Sequence, residues 1–178
     1  MAIYFIRHGQ SLFNAAYDGE QDPMIFDPPL TKLGEEQAAR ARRQIEDLGI
    51  KRVISSPLRR AIQTAQIMFD GIVPIDVRHG HHELLLHSGD VGSDVSALKA
   101  AFPELEFDHL PRRWWHHETG ALDEITPEPL PVFQERMSSF VENLAEITDR
   151  PVAIVGHGNA FREITGLQFE NCQIHRYK

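Results

Sequence analysis

The sequence predicts an α/β fold, a three-layer α/β/α sandwich around a mostly parallel sheet. Two short unbroken apolar runs, residues 2–6 (Ala-Ile-Tyr-Phe-Ile) and 151–155 (Pro-Val-Ala-Ile-Val), read as strands buried on both faces. Elsewhere apolar residues recur at helical spacing. The two patterns alternate along the chain as β, α, β, α, which is the mark of helices covering a sheet.

The first apolar run stops at Arg7-His8-Gly9. Leu33, Ala38, Ala41, Ile45 and Leu48 then form one face of an amphipathic helix, opened by Thr31 as N-cap and closed by Gly49. Val53-Ile54 is a short strand. Ser56 as N-cap and Pro57 at the first helical position open a second helix with Leu58, Ile62, Ala65 and Phe69 on one face. A weak strand spans Ile75 to Val77. From about 78 to 129 the pattern dissolves, leaving one helix near Ser93 to Ala101 among histidines, prolines, Trp114 and Trp115. This stretch reads as an irregular insertion covering the active site, because long structureless segments inside compact domains usually act as lids. Phe133, Met137, Phe140, Val141 and Leu144 mark a third amphipathic helix. A short helix from Asn159 to Thr165 and an edge strand from Cys172 to Tyr177 end the chain.

The 178 residues, 42% hydrophobic and 25% charged, suffice for one domain over 1–178 with a sizeable core, and no repeat or linker divides them. Lys plus Arg number 18 against 26 Asp plus Glu, a net charge of −8, and no basic run exceeds two residues. That argues against nucleic acid or an anionic membrane as partner. The single Cys172 has no partner for an internal disulfide, and the apolar stretch before Arg7 is too short for a signal-peptide core, so a cytoplasmic protein is expected.

Seven of the ten histidines (79, 81, 82, 87, 109, 116 and 117) lie in the insertion. They read either as a solvated surface or as a metal or proton-handling site. His82-Glu83-Leu84-Leu85-Leu86-His87 is not a zinc-protease helix: five residues turn about 500°, leaving the imidazoles about 140° apart. Gly156-His157-Gly158-Asn159-Ala160-Phe161 begins like a dinucleotide fingerprint but has Phe161 in place of the third glycine and no acidic ribose partner, so no nucleotide cofactor is expected.

Both buried strands end in a His-Gly pair. In open α/β sheets ligands sit beyond the carboxyl ends of the strands, where His8 and His157 converge if their strands are neighbours. Arg59 and Arg60 fall in the first turn of a helix, where exposed positive charge costs about 0.3–1 kcal/mol each against the helix dipole. A bound anion would offset that cost. Arg7, Arg60, two histidines and helix N-terminal amides together describe a phosphoryl site.

These residues resemble the histidine phosphatase superfamily, the phosphoglycerate mutase-like fold, through nearly the whole chain. Arg7-His8-Gly9-Gln10-Ser11 with Asn14 is similar to the family signature. Asp27 to Ala38, Ser55 to Ala65 and Val155-Gly156-His157-Gly158 follow in the family's order. The resemblance is closest to the short phosphatase branch rather than the long cofactor-dependent mutases. It implies that His8 is a nucleophile forming phosphohistidine and that Arg7, Asn14, Arg60, His157 and Gly158 bind the phosphoryl group. It also makes Glu83 the acid for the leaving group and Arg60, rather than Arg59, the catalytic arginine. Asp90-Val91-Gly92-Ser93, Phe102-Pro103 and the two tryptophans bear a further resemblance to a fungal and plant branch, implying a broad small-molecule phosphatase activity with His87 and Ser88 as candidate pocket residues.

The chemistry needs an in-line nucleophile, positive charge around the equatorial oxygens and a proton for the departing alkoxide. All three have candidates, with no metal and no cofactor required, and a small phosphorylated metabolite is the expected substrate. Mutase-type phosphoryl transfer and a non-catalytic phospho-ligand binding module are the alternatives. Trp114 and Trp115 read as pocket walls or as core, and Arg112 and Arg113 as grips for a second anion or as solvated surface.

Overall fold

The computed structural model describes residues 2–178. Its sheet contains β1 (Ile3–Arg7), β2 (Arg52–Ser55), β3 (Ile75–Val77), β4 (Val152–Gly156) and β5 (Ile174–Arg176), in the spatial order β3-β2-β4-β1-β5. All pairings are parallel except β1 with β5. Six α-helices accompany it: α1 (Leu12–Ala16), α2 (Lys32–Ile45), α3 (Arg59–Phe69), α4 (Val95–Ala101), α5 (Leu130–Leu144) and α6 (Gly158–Thr165).

Alternation along the central strands explains why their sequences are apolar throughout. Ile6, Val53, Ala153 and Val155 face α2 and α3, packing with Ala38, Ala41, Ile45, Ala65 and Phe69. Ile3, Phe5, Ile54, Val152 and Ile154 face the other way, onto Leu144 of α5 and Phe161 of α6. With both faces covered, every inward position must be apolar. The result is the three-layer sandwich that the sequence predicts.

Several elements match expectation closely. Thr31 caps α2 by accepting the Gly34 N–H at 3.0 Å, and Gly49 closes the following turn at φ 59°. Others differ for local reasons. Ser56 and Pro57 do not open α3; the helix begins at Arg59 after Leu58, whose side chain cannot cap. The cap comes from a distant loop instead, where the buried Asp27 carboxylate accepts the Arg59 N–H at 2.9 Å and the Ser93 N–H at 3.2 Å. The last strand is shorter than the apolar pattern suggests, because Cys172 adopts φ 58° and its N–H turns to the Arg7 carbonyl. Helix α4 starts two residues later than predicted, capped by Asp94.

The irregular stretch has two fates. Leu98, Phe102, Phe107, Trp114 and Trp115 pack with Leu58, just before α3, and with Ile62 of α3, and the tryptophans, 4% and 3% exposed, are core rather than pocket wall. Arg113 donates to the Thr119 and Ala121 carbonyls, while Arg112 is exposed. Residues 81–93 instead run towards the carboxyl edge of the sheet. Among the described residues no helix is long and apolar enough to cross a membrane.

The loop after β1 is pressed against the start of α2 at a glycine pair. A Cβ on Gly9 would stand 2.5 Å from the Gly34 oxygen, and one on Gly34 would stand 2.1 Å from the Gln10 oxygen. Both obstacles are backbone, so neither can move aside cheaply. Gly34→Ala is expected to cost about 1–3 kcal/mol through overpacking, more than the about 1 kcal/mol that alanine gains in helix propensity. Urea unfolding of the variant checks this, and a midpoint at or above wild type would show that the loop yields.

Candidate active site

Because β1 and β4 are adjacent, parallel and in register with Arg7 opposite Gly156, the residue after each strand leaves the sheet at the same edge. Those residues are His8 and His157. Both are buried, with ring centroids 5.2 Å apart.

The His8 Nδ1 lies 2.6 Å from the Gly9 carbonyl oxygen. A carbonyl only accepts, so Nδ1 carries the proton and Nε2 the lone pair. Arg60 donates its Nε–H to that Nε2 at 3.2 Å. Burial first, then the cations of Arg60 and Arg7, hold His8 well below the ordinary imidazole range. The ring is therefore neutral with one nitrogen free to act as a nucleophile. His157 is also held low, by burial and then by Arg60. Its Nε2 meets Ser56 Oγ at 2.7 Å, while its buried Nδ1 has no protein partner.

Arg60 occupies the second position of α3 and is 4% exposed. Besides His8 it donates to the Gly89 carbonyl at 2.5 Å and to Asp90 Oδ1 at 3.1 Å. Asp90 also accepts the N–H groups of Leu86 and His87, both at 3.2 Å. The turn carrying Gly89 and Asp90 thus pins the guanidinium with its Nε towards His8. Arg59, by contrast, is anchored through its backbone to Asp27.

Arg7, the last residue of β1, donates to the Phe169 carbonyl and has a buried Nε with no protein partner. It passes close to Gly158, where a Cβ would lie 3.4 Å from that Nε. Glu83 completes the group from the irregular stretch. Its Oε1 accepts the N–H of Leu84 at 3.0 Å and of Ala160 at 3.1 Å, and Oε2 accepts that of Asn159 at 3.2 Å, at the N-terminus of α6. Burial and then the charge of Asp90 raise its pKa, against the pull of Arg60 and the amide donors. Arg7, Glu83, Gly158 and Asn159 open onto a cavity of about 180 Å³ that also meets Arg162 and Gln168.

His8, His157, Arg7, Arg60, Glu83 and Gly158 therefore gather at one edge. Asn14 stands apart: it is exposed on α1 and its Oδ1 accepts the Ser11 N–H at 3.1 Å. Ser88 is committed to Asp22 through both its hydroxyl and its N–H. The insertion histidines are dispersed, with His81 stacked on Phe140 and His82 edge-on to Trp114. Among the described residues no three metal-ligating side chains are grouped. Sequence reasoning missed Ser56, Gly89 and Asp90 as site residues. Asp90 was visible only as part of a motif, since nothing local announces a contact thirty positions back along the chain.

Paired neutral histidines, two arginines and a buried carboxylic acid at the carboxyl edge of an α/β sheet define a phosphoryl-transfer enzyme. The comparisons with known proteins agree. Residues 3–177 match the model of the histidine phosphatase superfamily (branch 1). A glucosyl-3-phosphoglycerate phosphatase from Mycolicibacterium vanbaalenii is 30% identical over 176 residues, 95% of this chain and 76% of that protein. A probable phosphoglycerate mutase, GpmB, from Erwinia tasmaniensis is 40% identical, but over only 72 residues, 39% of this chain and 31% of that one. The fold is shared with the mycobacterial glucosyl-3-phosphoglycerate phosphatase solved with VO3, at a TM-score of 0.62 and 20% identity over 98% of this chain and 90% of that one. The chain belongs to the histidine phosphatase superfamily, and within it is a phosphomonoesterase.

Burial of so many neutral imidazoles has a cost in acid. His8, His81, His82 and His157, all buried, have folded-state pKa values below the unfolded value near 6.5, that of His81 at about 3. As pH falls below about 6.5 the unfolded chain takes up their protons first, so each removes up to about 1.4 kcal/mol of stability per pH unit. Asp27, Glu83 and Asp90, whose values are raised, act in the opposite sense and offset part of that loss. The denaturant midpoint is expected to be clearly lower at pH 5.5 than at pH 7.5, and a flat profile would contradict the assignment of neutral buried rings.

Proposed function

We propose that the protein hydrolyses small phosphorylated metabolites through a phosphohistidine on His8, without a metal ion or cofactor. The observation that carries this reading is His8 itself: a neutral ring with Nδ1 bonded to a carbonyl and Nε2 facing a guanidinium.

In the first step Nε2 attacks phosphorus while the bond to the leaving oxygen breaks. Arg60 and Arg7 balance the charge of the equatorial oxygens, and the partnerless Nδ1 of His157 and Nε of Arg7 supply further polar contacts. Glu83, with its raised pKa, gives its proton to the departing alkoxide; the incoming phosphoryl charge favours that protonated form further. In the second step Glu83 takes a proton from water, which attacks the phosphohistidine and releases phosphate. Nδ1–H stays on the Gly9 carbonyl throughout, keeping the ring oriented.

The cavity of about 180 Å³ suits a small leaving group, and its lining of Arg7, Asn159, Arg162 and Gln168 suits a polar one. The free, buried Cys172 fits a cytoplasmic setting.

The test is hydrolysis of p-nitrophenyl phosphate in EDTA, with acid-quench trapping of labelled enzyme. Wild type is expected to be active and to carry label on one histidine, and His8→Ala to lose at least about 1,000-fold and all label. Activity abolished by chelator would overturn the metal-free reading. Label passed to an added hydroxylated acceptor in preference to water would make the enzyme a mutase, and tight phosphate binding without label would make it a binding module. Asp90→Asn, which removes the carboxylate from Arg60, is expected to tighten competitive inhibition by inorganic phosphate about 3- to 10-fold.

A further inference from the structure

Arg136, on α5, is remote in sequence from every residue assigned to the reaction, yet all five of its N–H donors are used: three on backbone carbonyls of the segment that carries Glu83 and two on the carboxylate of Glu128. Its Nη1 donates to the carbonyls of Gly80 at 3.1 Å and His82 at 2.9 Å. Its Nη2 donates to the Glu83 carbonyl at 3.4 Å and to Glu128 Oε2 at 2.6 Å, and Nε donates to Glu128 Oε1 at 3.0 Å. Glu128, 5% exposed, is tied to the same segment from its other end, its N–H reaching the Leu85 carbonyl at 2.9 Å. The guanidinium also lies over the Phe133 ring, 5.1 Å from its centroid.

Residues 80–85 have no helix or strand of their own, so their carbonyls find no partners in a regular ladder. Arg136 supplies those partners in one rigid fork. Lysine, with a point charge and a flexible stem, cannot reproduce five donors in a plane. The fork fixes the backbone from which the Glu83 side chain projects, while the amides of α6 fix the carboxyl itself.

We propose that Arg136, locked by Glu128, is a positioning residue for the general acid: it sets where Glu83 delivers its proton and has no part in the phosphoryl half of the site. This rests on the reading of Glu83 as the acid. Arg136 bonds to none of His8, His157, Arg7 or Arg60, so its loss should impair the proton transfers made by Glu83 and leave the attack of His8 on phosphorus intact.

Leaving groups separate the two halves. 2,4-Dinitrophenolate departs without protonation, whereas a glycerol alkoxide does not. Arg136→Lys is compared with the double variant Arg136→Gln/Glu128→Gln, which leaves no unpaired buried charge. Both are expected to lose about 10- to 100-fold in kcat/KM for glycerol phosphate, the scale of a misplaced catalytic group. For 2,4-dinitrophenyl phosphate kcat/KM should stay within about 3-fold of wild type, since it reports only the transfer to His8, in which this leaving group needs no general acid. Equal losses on both substrates in both variants would make Arg136 merely structural, and no loss on either would make it dispensable; each overturns the proposal. Glu83→Gln, measured alongside, distinguishes the underlying assignment. If it shows no difference between the two substrates, Glu83 is not the acid and the proposal falls with it.

Discussion

The parallel pairing of β1 with β4 is the constraint on which the site depends. It sets Arg7 beside Gly156, and the pairing of His8 with His157 follows from what comes one residue later in each strand. A slip of one residue would move one imidazole along its strand and turn every apolar side chain of that strand to the opposite face. The two-sided core and the histidine pair therefore resist the same slip: Ile6 and Val155 on one face, Phe5 and Ile154 on the other, cannot keep their faces when the register moves by one residue.

Charge at this edge is arranged in opposition. Burial and then Arg60 hold both imidazoles low, with Arg7 adding to the effect on His8, and Asp90 pairs with Arg60 so that this buried guanidinium does not stand uncompensated. Burial and then Asp90 raise Glu83, so one carboxylate acts on both the guanidinium of Arg60 and the neighbouring carboxyl group. His8 and Glu83 are thus both shifted towards their neutral forms in a single buried site, through different neighbours.

Much of this was legible in the sequence because its causes are local. Apolar alternation marks β1 and β4, helical spacing marks α2 and α3, and Thr31 and Gly49 mark the ends of their segment. His8, Arg60, Glu83 and His157 were readable because they lie at strand ends, in a helix first turn or within short ordered strings. What was not legible depends on contacts between distant parts of the chain. Asp27 caps α3 from a loop 32 residues away, which made Ser56 look like a cap when its hydroxyl is in fact on His157. Arg136 meets its carbonyls across more than fifty residues. Trp114 and Trp115 had no periodicity to assign them to core or pocket; only their burial against α3 decides it.

The glycine contact between Gly9 and Gly34 and the fork of Arg136 act on different pieces of the chain, and so divide the enzyme. His8, His157, Arg7 and Arg60 are built on the sheet and α3, while Glu83 and the Gly89-Asp90 turn that pins Arg60 hang on residues 80–93, an irregular segment held by side chains. Such a segment can change length and composition without disturbing strand register. A change confined to that strap therefore reaches the Glu83 carboxyl and the guanidinium of Arg60 from outside the sheet, while the two histidines keep the partnership that the strands impose.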